Sequence, residues 1–280
     1  MSGFDFMWFF FLLAALQPVL RKRILEVQRR RLIARIEAQR GSRLILLVHR
    51  QETMSVLGFP VMRYIDVDDS EAIIHALHQT EPDIPVDLVL HTPGGLVLPT
   101  YQIARAINAR KGKVTVFVPH YAMSGGTLLA LAADEIVLSQ HAVLGPIDPQ
   151  IGKYPAVSLL KVLRDKPIAE IDDETLILAD QAAKAMRQLE AMVTEVLADS
   201  YPAETAGELS KLLTQGTWTH DYPITCDEAL RMGLKVTTQM PAEVLELMTL
   251  YRQPLRRSPS VEYGELPVAR PQRGPSPPQN

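Results

Sequence analysis

Hydrophobic and polar residues follow two different periods along this chain, and their order predicts the architecture. Short apolar runs are typical of buried strands, whereas apolar positions three and four apart are typical of helices. Predicted strands are 43–48, 63–67, 88–90, 114–118 and 135–138, and the predicted helices among them are 68–79, 101–109 and 128–133. Strand and helix therefore alternate, which predicts an α/β fold with a mainly parallel sheet and right-handed crossovers.

The second half of the chain is predicted to be mostly helical. Asp172 or Asp173 is expected to cap a long helix that continues to about Asp199, with apolar residues along one face. Shorter helices are predicted at 208–213, 227–232 and 241–251, and a last strand at 234–237. A helix as long as the one predicted to end at about Asp199 covers one side of a sheet or pairs with a neighbour.

The N-terminal segment has the composition of a membrane anchor. Apart from Asp5 and Gln17, residues 4–20 are apolar, and a run of about 17 residues is close to the shortest that crosses a bilayer. Basic clusters follow at 21–23 and 29–31. The positive-inside rule then predicts a single-pass protein of the cell membrane whose remaining chain faces the cytoplasm. The alternative is an amphipathic helix in the membrane interface, held by the same basic residues.

Breaks in the pattern divide the chain into four segments. Gly41 and Ser42 interrupt the helical spacing, and a Pro-, Ser- and Arg-rich composition with few large apolar residues begins near the C-terminus. The predicted segments are a membrane anchor helix at 1–20, a basic juxtamembrane helix at 21–42, one α/β domain at 43–253 and a disordered tail at 254–280.

Composition and charge narrow the classes of function. The formal net charge of −3 over 280 residues gives no argument for nucleic acid as a partner. A single cysteine, Cys226, excludes an intrachain disulfide. The sequence has no Cys/His spacing of a zinc site, no phosphate-binding loop for ATP and no dinucleotide fingerprint. We therefore predict neither a metal nor a cofactor.

Ser124 is the strongest candidate for a nucleophile. It lies between a predicted strand and a predicted helix and is followed by Gly125 and Gly126. A serine at such a junction presents its hydroxyl at a helix N-terminus, where the backbone comes close and the dipole favours negative charge. The alternative is a serine that only caps the helix, since serine is a common cap.

A second strand–glycine–helix junction precedes the first. There the strand predicted at 88–90 leads through His91 into a turn of Thr92, Pro93, Gly94 and Gly95. Backbone N–H groups in such a turn can point into the same cleft as a nucleophile and stabilise an oxyanion, a contribution of about 10²- to 10³-fold in rate for each donor. Two such junctions about one βα repeat apart predict an active site.

The paired motifs carry a family resemblance. Thr-Pro-Gly-Gly at 92–95, Ala-Met-Ser-Gly-Gly-Thr at 122–127, and the segments 132–138 and 143–148 are similar to the ClpP/crotonase superfamily, nearest to its signal-peptide-peptidase-A-like serine peptidases. Residues 216–224 resemble the branch called the serine dehydrogenase proteinase family. The resemblance implies a repeated βαβ spiral fold, with Ser124 as nucleophile and N–H groups of Gly94, Gly95 and Gly125 as oxyanion donors.

The general base is the open question. The superfamily uses either a histidine with an aspartate or a single lysine, and this sequence has no histidine in the place that ClpP uses, near Asp148. The resemblance to the lysine-dependent peptidases implies Lys166 as base, ahead of Lys153 and Lys161. A lysine base needs its pKa lowered from about 10.4 to near 7 or 8, which requires burial. Asp148 remains a candidate orienting group.

The remaining candidates are histidines near the glycine turns and one aromatic loop. His91 and His120 lie beside the two junctions, where satisfying backbone groups is their commoner role. Trp218, His220 and Asp221 belong to an aromatic and polar loop and are candidates for the substrate groove. The alternative is that these loop residues only hold the loop together.

Together these features predict a membrane-anchored serine endopeptidase with a Ser–Lys dyad. The implied substrates are membrane-protein fragments or unfolded polypeptides, and the resemblance implies a homo-oligomer. The expected partners are thus peptide substrates, further copies of the chain, and membrane lipid at the N-terminal helix and Arg-rich segment. Two alternatives remain, an inactive oligomeric membrane scaffold of the same fold and a crotonase-like acyl-CoA enzyme.

Overall fold

A computed structural model describes residues 3–49, 54–56, 59–61 and 63–251. Its α-helices are α1 (Gly3–Arg40), α2 (Val67–His78), α3 (Val97–Asn108), α4 (Gly125–Leu131), α5 (Ala156–Asp165), α6 (Asp173–Leu197), α7 (Ala203–Thr214), α8 (Cys226–Arg231) and α9 (Ala242–Thr249), with a short 3-10 helix at Ile168–Glu170. The longer strands are β1 (Arg43–Val48), β4 (Val86–His91), β5 (Val114–Val118) and β7 (Glu135–Leu138). The shorter strands are β2 (Met54–Val56), β3 (Phe59–Val61), β6 (Tyr121–Ala122), β8 (Val143–Leu144), β9 (Gln150–Ile151), β10 (Tyr154–Pro155), β11 (Ile224–Thr225) and β12 (Val236–Thr237).

The centre of the fold is a five-stranded parallel sheet in the order β1-β4-β5-β7-β12. Every residue of β4 and β5 is buried, because helices cover both faces, as in other parallel sheets. One face packs against α2, α3, α4, α6 and α7 through a large core. The other face, with Val89, Phe117 and Val137, packs against α1 and α9. The predicted α/β fold with a mainly parallel sheet is confirmed.

Two differences from the sequence pattern have clear local causes. The strand predicted at 63–67 reduces to one bridge, from Ile65 to Gly95. Asp66 and Asp69 form a capping box, in which each side chain accepts from the backbone N–H of the other, and this starts α2 at Val67. Helix α3 begins before its predicted start and includes Pro99, because proline is tolerated in the first turn of a helix.

The predicted anchor and juxtamembrane helices form one continuous helix, α1. Its C-terminal part is docked on the sheet by the buried side chains of Leu32 and Ile36 and by Arg29, whose guanidinium donates to the Leu250 carbonyl at 2.6 Å. Arg40 forms an ion pair with the buried carboxylate of Asp87.

Among the described residues, no helix combines the length and the apolar character needed to cross a bilayer. The predicted tail at 254–280 lies outside the described residues.

Candidate active site

Ser124 has a backbone conformation that distinguishes it from other residues of the structure. Its φ of 50° and ψ of −116° make it the one non-glycine residue with positive φ within the described ranges. The conformation is held from both sides, because Met123 N–H donates to the Thr92 carbonyl at 3.0 Å and the Ser124 carbonyl accepts from Thr127 N–H at 2.9 Å. Strained serines on sharp strand-to-helix turns are typical of exposed nucleophiles.

The capping interpretation of Ser124 is not supported by its contacts. Ser124 precedes the first residue of α4, but its hydroxyl makes no capping hydrogen bond within the described part of the chain. The side chain is half-buried and lines a cavity of about 390 Å³. The hydroxyl is therefore available to a ligand in that cavity.

The Gly94–Gly95 turn fits closely against Ser124 and the neighbouring backbone. Gly94 has a φ of 106°, and a Cβ there would lie 2.7 Å from the Cβ of Ser124. A Cβ on Gly95 would lie 2.3 Å from the backbone N and O atoms of Ile65. Larger side chains are therefore excluded at both positions, and the turn backbone itself forms the wall of the cavity.

Of the three predicted oxyanion donors, one N–H is already in use. Gly94 N–H donates to Thr92 Oγ1 at 3.2 Å. In the described part of the chain, the N–H groups of Gly95 and Gly125 have no such acceptor, and the Cβ position of Gly125 lies 3.4 Å from the Gly95 nitrogen. These two amides are thus the pair that remains for an oxyanion.

Asp148 and His220 line the same cavity and contact each other. His220 Nδ1 lies 2.8 Å from Asp148 Oδ1, and the second carboxylate oxygen accepts from Gln150 Nε2 at 2.6 Å. The Asp148 side chain is 3 % exposed and that of His220 is 37 % exposed. A buried, doubly hydrogen-bonded carboxylate therefore holds an imidazole that can reach the cavity.

The surroundings of His220 favour its protonated form. The hydrogen bond to Asp148 raises the pKa of the imidazole, burial opposes this, and the charges of Asp148 and Asp221 raise it further. Stabilising the imidazolium in this way is what an aspartate does for a histidine that accepts a proton during a reaction.

A small three-stranded sheet brings these residues together. Its order is β11-β8-β6, and the three strands belong to the segments that carry His220, Asp148 and Ser124 respectively. Buried Thr127 strengthens the connection, because its hydroxyl lies 2.8 Å from the carbonyls of both Ala122 and Gly145 and accepts from Gly145 N–H at 3.0 Å. Three distant parts of the sequence thereby meet at one cavity.

The aromatic loop that carries His220 has its own support. The rings of Trp218 and Tyr222 are stacked with centroids 5.3 Å apart, and Tyr222 N–H closes a turn to the Thr219 carbonyl at 2.9 Å. Trp218 packs against the core, and Asp221 is exposed. Of the three predicted groove residues, His220 lines the cavity of Ser124.

Lys166 lies elsewhere in the structure. It follows the last residue of α5, is exposed, and lines a different cavity with residues of α5 and α6. The linings of the two cavities have no residue in common. The structure therefore does not bring Lys166 and Ser124 together, and burial of the kind that a lysine base needs is not seen.

The other candidates have separate places. His91 is buried with its ring centroid 4.3 Å from that of Tyr121, and His120 is exposed with its ring 5.3 Å from that of His91. Lys153 and Lys161 are exposed. Among the described residues, no group of three or more His, Cys, Asp and Glu side chains could hold a metal ion.

Two features of the site escaped the sequence analysis. Gln150 gives no motif signal, although it completes the hydrogen bonds of the Asp148 carboxylate. The pairing of Asp148 with His220 joins residues separated by α5, α6 and α7. The only available signals were the turn-rich segment at 145–149 and the His-Asp pair in the aromatic loop.

Comparison with known proteins agrees with the class that this fold and site define. Residues 1–276 match the family described as "ClpP-like SDH-type serine proteinase", and the chain belongs to this family.

Individual relatives are also found. The chain is 48 % identical over 261 residues to the uncharacterized protein MJ0137 of Methanocaldococcus jannaschii, an alignment of 93 % of this chain and 91 % of that protein. It is 48 % identical over 270 residues to MJ1495 of the same organism, covering 96 % and 91 %. A mutant of the membrane-bound stomatin-specific protease 1510-N has a similar structure, with a TM-score of 0.42 and 20 % identity over 64 % of this chain and 76 % of that one. That last likeness is too weak to carry an argument.

Proposed function

We propose that this protein is a serine endopeptidase in which Ser124 is the nucleophile, His220 the general base and Asp148 the orienting carboxylate. The observation that carries the proposal is the 2.8 Å contact between His220 Nδ1 and Asp148 Oδ1, in the cavity that Ser124 also lines. Membership of a serine proteinase family supports the reaction class. This triad replaces the predicted dyad with Lys166, which lines a different cavity.

The proposed reaction follows from the tautomer that Asp148 selects. A carboxylate only accepts, so Nδ1 carries a proton and Nε2 is left with a lone pair. As Ser124 Oγ attacks the peptide carbonyl carbon, its proton passes to Nε2 of His220. The imidazolium then returns that proton to the leaving amine nitrogen, the C–N bond breaks, and an acyl-serine ester remains. Water hydrolyses the ester by the same two proton transfers and releases the carboxylic acid.

The oxyanion of each tetrahedral intermediate is assigned to the N–H groups of Gly95 and Gly125. Both amides border the cavity, and both lack another acceptor among the described residues. Removing one donor of this kind typically costs about 10²- to 10³-fold in rate. The strained φ of Ser124, the residue directly before the first amide of α4, supports this assignment.

The cavity and its rim support polypeptide as the substrate. Leu96 and Val97 line the cavity and are 49 % and 47 % exposed, and Tyr64 beside them is 50 % exposed. Exposed apolar side chains at a cleft fit an extended segment with apolar residues. We therefore keep membrane-protein fragments and unfolded polypeptides as the proposed substrate class.

Attachment to a membrane surface and self-association complete the proposal. The apolar side chains of Leu16, Leu20, Ile24 and Val27 are exposed and recur at helical spacing on α1, beside basic residues. That combination fits a helix lying in the interface of an anionic membrane. Cosedimentation with vesicles containing anionic lipid tests this attachment, and loss of binding in Leu20→Glu is expected. Light scattering of the unattached protein reports its oligomeric state.

A fluorophosphonate probe tests the catalytic proposal, since labelling requires an activated serine. Wild type is expected to be labelled and to cleave unfolded casein. Ser124→Ala is expected to lose both, and His220→Ala to lose about 10²- to 10⁴-fold in rate, the usual contribution of a general base.

Lys166→Ala is the matched control and is expected to keep wild-type rates. If Lys166→Ala loses labelling while His220→Ala keeps it, the base is Lys166 and the triad is wrong. If the folded wild type is not labelled at all, the protein is a scaffold.

A further inference from the structure

A second histidine–aspartate pair lies behind the glycine turn, outside the cavity. His49 follows the last residue of β1, Thr92 follows the last residue of β4, and Asp69 lies in the first turn of α2. His49 Nε2 is 3.1 Å from Asp69 Oδ2, and His49 Nδ1 is 2.9 Å from Thr92 Oγ1. None of the three lines the cavity of Ser124, so none of them is placed to touch a substrate there.

The direction of each hydrogen bond follows from the donors and acceptors available. The Asp69 carboxylate can only accept, so the proton is on Nε2 of His49 and Nδ1 of the neutral ring is an acceptor. The Thr92 hydroxyl then donates to Nδ1 of His49. Its lone pairs remain for the N–H of Gly94, which lies 3.2 Å away.

The last member of this chain of hydrogen bonds is the turn that shapes the oxyanion site. Thr92 is fully buried, and its carbonyl accepts from Met123 N–H, the residue before the nucleophile. With Gly94 N–H directed back to Thr92, the following N–H, that of Gly95, is left for the cavity. The Gly94 carbonyl is fixed as well, by the N–H of Ile65 at 2.8 Å.

We propose that His49 and Asp69 are positioning residues for catalysis, acting through the hydroxyl of Thr92 to hold the Gly94–Gly95 turn in its oxyanion-binding geometry. The proposal rests on the peptidase function of Ser124. Asp69 stabilises the one His49 tautomer that leaves Nδ1 as an acceptor. In the opposite tautomer Nδ1 donates, and the Thr92 hydroxyl turns towards the Gly94 carbonyl, 3.4 Å away, where it competes with Ile65.

Substitutions at Thr92 test the connection directly. Thr92→Val has nearly the same shape and lacks the hydroxyl, whereas Thr92→Ser keeps it. Because an oxyanion forms only in the transition state, Thr92→Val is expected to lower kcat about 10- to 100-fold with little change in KM, somewhat less than the loss of a whole donor. Thr92→Ser is expected to stay within about threefold of wild type, and Asp69→Asn to lower kcat about 10-fold.

Active-site titration keeps this test separate from folding. The rate is divided by the number of serines that fluorophosphonate labels, so a smaller folded fraction does not lower it. Thr80→Val is the matched control, because Thr80 is also a buried threonine and, among the described residues, its hydroxyl bonds only to the Ala76 carbonyl, at 2.8 Å. It is expected to keep the wild-type kcat.

Three outcomes would overturn the inference in distinguishable ways. If wild type reacts with the probe and Thr92→Val keeps the wild-type kcat per labelled serine, His49 and Asp69 only stabilise the fold. If Thr92→Val leaves kcat unchanged and instead raises KM about 10- to 100-fold, the turn binds the substrate rather than the transition state. If wild type itself fails to react, the peptidase function fails, and this inference fails with it.

Discussion

The two histidine–aspartate pairs use the same chemistry with opposite exposure. In the pair at the cavity the carboxylate of Asp148 is 3 % exposed and the ring of His220 is 37 % exposed. In the pair behind the turn the ring of His49 is 6 % exposed and the carboxylate of Asp69 is 26 % exposed. The buried member is the imidazole in one pair and the carboxylate in the other.

This difference indicates what each pair can do. A buried carboxylate has a fixed position and orients the accessible imidazole that contacts it. An accessible imidazole can exchange protons with a substrate. A buried imidazole cannot reach a substrate, but it can fix the direction of a buried hydroxyl such as that of Thr92. A histidine–aspartate contact alone therefore does not identify a catalytic base, and exposure decides between the two roles.

Replacing each aspartate with asparagine should separate the two pairs most strongly. Asp148→Asn lets His220 take the wrong tautomer and is expected to lower kcat by about 10³- to 10⁴-fold, as in other triads. Asp69→Asn is expected to lower it only about 10-fold, since its effect passes through Thr92 and the turn. Steady-state kinetics on one peptide substrate, normalised by active-site titration, measures both. Equal losses in the two variants would contradict the assignment of different roles.

A smaller difference between the two pairs is expected in the pH dependence of kcat/KM. This difference identifies the histidine that exchanges protons with the substrate. The hydrogen bond to Asp148 raises the pKa of His220, and a protonated imidazole cannot accept the serine proton. Wild-type activity is therefore expected to rise with pH, with a midpoint above the usual histidine value of about 6.5. Asp148→Asn should move that midpoint to lower pH.

Asp69→Asn serves as the control in the same titration. It should lower the plateau of kcat/KM and leave the midpoint in place, because His49 does not exchange protons with the substrate. A midpoint that moves with Asp69 and stays fixed with Asp148 would reverse the two assignments.

The pH dependence of the unfolding free energy should show the smallest difference between the two pairs. The contributions of Asp69 and His220 should change with pH in opposite directions. Burial raises the pKa of Asp69, but the hydrogen bonds from His49 and the Asp66 backbone and the nearby charge of Arg63 leave it lowered. This contribution is present above the unfolded value near 3.8 and is lost as pH falls through the folded pKa. The pKa of His220 is raised from 6.5, so its contribution is complete below that value and is lost as pH rises through the folded pKa.

Urea unfolding at a series of pH values measures both contributions. Each is expected to be below about 1 kcal/mol, because both side chains remain partly solvated. The gap in unfolding free energy between wild type and Asp69→Asn should narrow in acid, and the gap between wild type and His220→Gln should narrow in base. Gaps that do not change with pH would mean that neither pair is coupled to folding.

The strands of the fold were predictable from sequence where most residues of the strand are apolar. Strands 43–48, 114–118 and 135–138 have the predicted bounds, because apolar runs in a sheet covered on both faces leave a clear signal. Residues 63–67 were predicted wrongly as a strand, since the capping box of Asp66 and Asp69 outweighs the β-propensity there. Helix α5 was not predicted, although its apolar residues recur at helical spacing.

The site was predictable only where its residues are contiguous. Ser124 and the Gly94–Gly95 turn are short motifs at strand ends, and the structure brings them together. His220 was predicted as a groove residue and Asp148 as an orienting group, but their pairing was not. The pairing depends on β6, β8 and β11, which have two residues each, and two residues are too few to show a period. Lys166 as base stays a prediction from family resemblance.

The positive φ of Ser124 has a consequence for the history of the sequence. A non-glycine residue in such a conformation is destabilised by about 1–3 kcal/mol, whereas glycine adopts it freely. Selection for folding alone would therefore favour glycine at position 124, in a chain that already has Gly125 and Gly126 beside it. Serine at this position therefore costs stability that glycine would not, which is expected if the hydroxyl has the proposed catalytic role.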